Sequence, residues 1–136
     1  MRYAIADASG RIEQIIDIPD DDTPDAHLAT LGAGWSAVES AFATLDLHYV
    51  DGGVVMPRPI PPPPPALASG VDALWVGLPP GALVTLSDPV TGPAGSDHAS
   101  PTGDLLLPAP TPGPWVLDVA ETFPWLGATF NVEVAP

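Results

Sequence analysis

Near the amino terminus Tyr3 and Ile5, then Ile12, Ile15, Ile16 and Ile18, form two runs of β-favouring residues on either side of Asp7-Ala8-Ser9-Gly10. Two such runs separated by turn-type residues predict a β-hairpin. In the acidic stretch that follows, Thr23 is placed to cap a helix and Pro24 suits a first helical position. A short helix is therefore predicted over residues 26–31, stopped by Gly32. Trp35-Ser36-Ala37-Val38-Glu39 alternates as a strand does. Leu47-His48-Tyr49-Val50, the turn Asp51-Gly52-Gly53 and Val54-Val55-Met56 predict a second hairpin.

Beyond residue 66 helical periodicity fades, and glycine or proline breaks the chain every eight to twelve residues, a rhythm of short strands. Strands are predicted over residues 73–78, 82–87, 104–107, 115–120 and 128–134, enough for a small sandwich. In the last of these Thr129, Asn131 and Glu133 alternate with Phe130, Val132 and Val134, so one face is wet and the other dry. Residues 89–103 are polar and read as a long loop, of the length that is usually functional or mobile.

The two halves meet at Pro57-Arg58-Pro59-Ile60-Pro61-Pro62-Pro63-Pro64-Pro65. Proline fixes φ and removes the amide donor, so this run is expected to be a polyproline II spacer. The predicted organisation is a small α+β meander over residues 1–56, a linker over 57–66 and a β-sandwich over 67–136, mainly β throughout.

Size changes the picture first. Each half of the 136-residue chain lies close to the lower limit for independent folding. Disulfides cannot reinforce either half, because cysteine is absent; assembly with other chains is the expected support. Against 17 Asp and Glu stand 3 basic residues, Arg2, Arg11 and Arg58, for a net charge of −14. That field opposes direct contact with nucleic acid or with anionic membrane surfaces. A mean hydropathy of +0.24 suits a chain that folds. No apolar run is long enough to span a bilayer, and Asp7 comes too early for a secretory signal core, so synthesis in the cytoplasm without membrane insertion is expected.

Candidate chemistry is sparse. The three histidines, His27, His48 and His98, fall outside any nucleophile–base motif and are expected in structural or solvated roles. With no lysine a phosphate-binding loop of the glycine-lysine kind is excluded. Asp17, Asp20, Asp21, Asp22 and Asp25 offer the hard oxygen ligands calcium prefers, but lack the central glycine and terminal glutamate of the helix-loop-helix calcium site. They are read as an acidic loop that favours the start of the helix after it. Neither catalytic residues, nor a cofactor, nor a metal site is predicted, and the chain is not expected to be an enzyme. Trp75 and Trp115 read as sandwich core. Trp125, in the turn Phe123-Pro124-Trp125-Leu126-Gly127, reads as an interface anchor or sugar platform. Candidate interface residues are Trp125, Phe123, Trp35, Tyr49 and Arg58.

Three stretches of the first half, Tyr3-Ala4-Ile5-Ala6-Asp7 with Gly10-Arg11-Ile12, then Gly34-Trp35-Ser36-Ala37-Val38-Glu39, and Tyr49-Val50-Asp51-Gly52-Gly53-Val54 leading to Arg58-Pro59, carry a likeness. They resemble the amino-terminal module of small bacteriophage tail and tail-fibre-associated proteins. The second half, with Leu78-Pro79-Pro80-Gly81-Ala82 and Thr111-Pro112-Gly113-Pro114-Trp115 introducing strands, is similar to the Ig-like domains that follow such modules. The resemblance implies a virion component without identifying which part, and a non-enzymatic protein of tail, baseplate or fibre is the leading reading. It would be present in several copies and be partnered by other virion proteins, with one module docked and the other projecting. Capsid decoration, or receptor or carbohydrate binding through Trp125 and residues 91–102, are the alternatives.

Overall fold

A computed structural model describes all residues, Met1–Pro136. The chain is mainly β with one helix and divides into two compact units, Met1–Arg58 and Pro59–Pro136.

In the first unit, β1 (Arg2–Ala6) and β2 (Ile12–Asp17) form the predicted hairpin, and β3 (Ser36–Glu39) adds to the other side of β1, giving the order β2-β1-β3. The turn is held by Asp7, whose carboxylate accepts the Ser9 hydroxyl at 2.6 Å and the Ser9 and Arg11 amides at 2.9 and 3.2 Å. This is the local side-chain capture of backbone donors that makes aspartate a turn residue. Strand alternation turns Ala4 and Ala6 to one side of the sheet and Ile5 to the other. On the alanine side Ile12, Ala43, Val50 and Val55 complete a small core, with Ile15 and Val38 packed against it. Small residues on the central strand let the second hairpin come close.

That hairpin, β4 (His48–Asp51) and β5 (Val54–Pro57), turns through Gly52 and Gly53 alone, at φ 57° and 80°. Asp51 belongs to the strand and not to the turn. A two-residue turn with both φ positive matches the twist of antiparallel strands, and glycine reaches it without a Cβ penalty. The hairpin is tied to the first through the Val50 amide, which donates to the Gly10 carbonyl at 2.8 Å, and through a bridge between Arg11 and Tyr49.

The helix α1 (Asp25–Leu31) forms where expected, but its start is corrected. Pro24 occupies the cap position and no side chain caps the end; Thr23 is held instead by its own amide donating to Asp22 Oδ1 at 2.8 Å. The His27 ring nitrogen Nε2 donates to Gln14 Oε1 at 2.6 Å. Gln14 is paired with Ile5, so the helix lies over the Ile5 side of the sheet.

The second unit contains two antiparallel sheets. One has the order β11-β10-β7-β8, from β11 (Ala128–Val134), β10 (Gly113–Val119), β7 (Leu83–Asp88) and β8 (Gly92–His98); the other pairs β6 (Ala73–Trp75) with β9 (Leu105–Leu107). Both feed one core, in which Trp75, Leu105 and Leu107 of the small sheet meet Val84, Leu117, Val119 and Val134 of the large one. Trp75 is fully buried and meets the Phe130 ring edge-on at 5.6 Å between centroids.

Three expectations change here. The polar stretch 89–103 is not one loop: its middle is β8, an edge strand paired with β7 from Leu83↔His98 to Asp88↔Gly92. Its glycine, proline, serine and aspartate hide the strand from any apolar pattern, because little of it is buried. The predicted strand 73–78 ends at Trp75, since Gly77 at φ 81° turns the chain and the Leu78 amide donates to the Gly103 carbonyl at 3.0 Å. Of the run expected as a spacer of its own, Pro57 ends β5 in the first unit and the prolines from Pro59 on count with the second. The Pro59 carbonyl accepts the Leu126 amide at 2.9 Å, the Pro62 ring stands beside Gly77, and Leu67 enters the core.

Candidate functional site

None of the residues singled out as an interface is a free, projecting side chain. Trp125 is half-buried, paired by a bridge to Thr122 in a connection that contains the cis Phe123–Pro124 peptide. Phe123, Trp35 and Tyr49 are likewise half-buried. Arg58 is 7% exposed and donates from its guanidinium to the Asp46 carbonyl at 3.2 Å, while its amide donates to the Leu47 carbonyl at 2.8 Å. Arg58, Tyr49, Phe123 and Trp125 are all engaged by further intramolecular interactions.

Each histidine also has a local partner. Besides His27 on Gln14, His48 Nδ1 accepts the Thr44 amide at 3.1 Å and its ring meets Phe42 edge-on. The protonated Nδ1 of His98 donates to the Gly81 carbonyl at 3.0 Å. The aspartates of the acidic loop do not converge: no three His, Asp or Glu side chains of the chain stand together as metal ligands, and Asp20 takes the amino terminus at 3.2 Å. Asp7 is the carboxylate whose surroundings act on it most clearly. The Ser9 hydroxyl above all, aided by the Ser9 and Arg11 amides and the Arg11 charge, holds its pKa below the ordinary carboxylate value against the opposing effect of burial, the second-largest influence.

What the tertiary structure brings together is a cleft in the second unit, about 410 Å³ in volume. Its floor is apolar, from Val84 and Leu86 of β7, Leu105 and Leu107 of β9, and Trp115 of β10. Gly95 and Asp97 of β8 form one wall, and the 108–111 segment after β9 forms the other. Trp115, expected in the core, is half-buried. It packs against the core with one part of the ring and lines the cleft, with Nε1 donating to the Thr111 carbonyl at 2.8 Å. The aromatic residue that lines the cleft with part of the 91–102 segment is Trp115. The sequence signal for this site was the unusual length of that segment. Its inner and outer positions became distinguishable only once it paired with β7.

A second, smaller hollow of about 300 Å³ lies in the first unit among Asp7, Ser9, Gly34, Ser36 and Asp51. It is polar, and its one strongly shaped group, Asp7, is spent on the hairpin turn.

Comparison with known proteins finds no matching family model, no matching curated protein and no matching solved structure.

Proposed function

We propose that this chain is a non-enzymatic structural component of a bacteriophage virion, associated with tail, baseplate or fibre. It acts as an adaptor that docks by its first unit and projects its second, which we read as an Ig-like β-sandwich. One observation carries the reading. The three separate stretches that resemble tail-associated modules converge in a single unit: Tyr3–Asp7 supplies β1, residues 34–39 supply β3, and residues 49–54 supply the hairpin that bonds to Gly10. Two sheets feeding one core in the second unit support the sandwich. Division into two small units, each with its own core, suits a connector better than a single catalytic body.

The test is quantitative mass spectrometry on purified virions with heads and tails separated. Enrichment in tails at low copy number is expected. High copy number in the head fraction would replace this reading by capsid decoration, and absence from both fractions would end it.

A further inference from the structure

We infer that the cleft of the second unit receives an extended segment of another protein, one that presents apolar residues and a Lys or Arg on the same face. The inference does not depend on the virion reading, because its chemistry lies within the unit.

Two sheet edges are unpaired beside the cleft. In the order β11-β10-β7-β8 the outer side of β8 has no neighbour, and in the two-stranded sheet β9 has none beyond β6. The Ala99 amide donates to the Ala82 carbonyl at 2.9 Å. By strand alternation the backbone groups of Asp97 and Gly95 then turn toward β7 and those of His98 and Ser96 turn outward, up to the bulge at Ala94. An incoming strand finds donors and acceptors there at the usual spacing.

The inner face of β8 is also unfilled. Asp97 is paired with Val84 and Gly95 with Leu86, so both lie on the face that looks into the core side of the sheet. An edge strand that covered its core would present apolar side chains at these places. Here one is a hydrogen atom and the other a carboxylate, and nothing stands within 4 Å of where a Cβ on Gly95 would be. Leu86 and Trp115, partly exposed above the buried Val84, Leu105 and Leu107, are left for apolar side chains from outside.

Charge selects the occupant. The three basic residues Arg2, Arg11 and Arg58 all precede the second unit, so its carboxylates have no Lys or Arg within the unit. Asp97 at the cleft wall spends one oxygen on the His98 amide at 2.8 Å and keeps further acceptor sites open toward the cleft. A carboxylate on the inner face of an edge strand discourages pairing with a second copy, which would bring an identical carboxylate against it. It favours a segment bearing a cation at that position.

The experiment titrates the ¹⁵N-labelled full chain with an acetylated, amidated heptapeptide carrying valine at its second and sixth positions, lysine at its fourth and threonine elsewhere, and with its glutamate-for-lysine counterpart. The expected result is saturable shifts confined to residues 94–98, 105–111 and the Trp115 indole for the lysine peptide, and none for the glutamate peptide. Gly95→Val should abolish saturable binding while the spectrum stays dispersed, since its Cβ enters open space and Gly95 has no positive φ. Asp97→Asn should weaken binding about tenfold. Absence of saturable shifts would overturn the inference. Equal response to both peptides, undiminished binding by Gly95→Val, or concentration-dependent self-association through β8 would do the same.

Discussion

Asp7 shows how one side chain at the residue scale both shapes a turn and acquires a pH signature. Its carboxylate accepts three hydrogen bonds from Ser9 and Arg11, all of which favour the ionised form. The folded pKa lies below the unfolded one, so the stability Asp7 contributes is fully present above the ordinary carboxylate value. It is lost as pH falls through the lowered folded pKa. Following the Asp7 carboxyl carbon by NMR should give a midpoint below that of an ordinary exposed aspartate, and Ser9→Ala should move it upward. An unchanged midpoint in that variant would show that the hydroxyl is not its main cause. This turn was legible beforehand, because an aspartate that captures amides two and four residues on is a local device.

At the element scale the contact that matters most in the first unit is the approach of one hairpin to the other at Gly10. Gly10 has φ 91°, and a Cβ built on it would collide with the Val50 carbonyl oxygen. Both conditions are backbone conditions, so no rotamer change relieves them. Gly10→Ala should cost about 2 to 3 kcal/mol in urea unfolding. Gly95→Ala, with open space and no positive φ, should stay within about 0.5 kcal/mol. The second unit repeats the device: Gly103 at φ 84° backs onto the Leu78 carbonyl in the same way. Both hairpins of the first unit could be read from alternation and turn residues. The role of Gly10 could not, because it depends on a strand forty residues away. The strand β8 escaped for a different reason: an edge strand with an unfilled inner face carries no alternation to read.

For the whole molecule the dominant quantity is charge. With −14 and no lysine, like charges repel across each unit, and that repulsion acts against compaction. Raising sodium chloride from about 10 mM to about 150 mM shortens the Debye length from about 30 Å to about 8 Å. The thermal midpoint should rise by a few degrees over that range at pH 7. A flat or falling midpoint would mean that the carboxylates are too well separated for repulsion to matter. The same imbalance sets what the second unit can recruit, since carboxylates without cationic neighbours in their own unit attract basic segments.

Sequence by itself determined the local features: a mainly β chain, two hairpins with their turns, one short helix ended by Gly32, and strong acidity. Each follows from residues within a few positions of one another, where propensity, alternation and turn chemistry act. Tertiary structure alone decided the rest. It laid the proline run against the second unit, because stiffness does not specify what a segment packs on. It withdrew Arg58 from solvent and left Trp125 half-buried, because exposure belongs to the packed chain. By pairing β8 with β7 it placed Gly95 and Asp97 above an apolar floor, and that cleft exists only when β10 of the same sheet and β9 of the other are packed beside them.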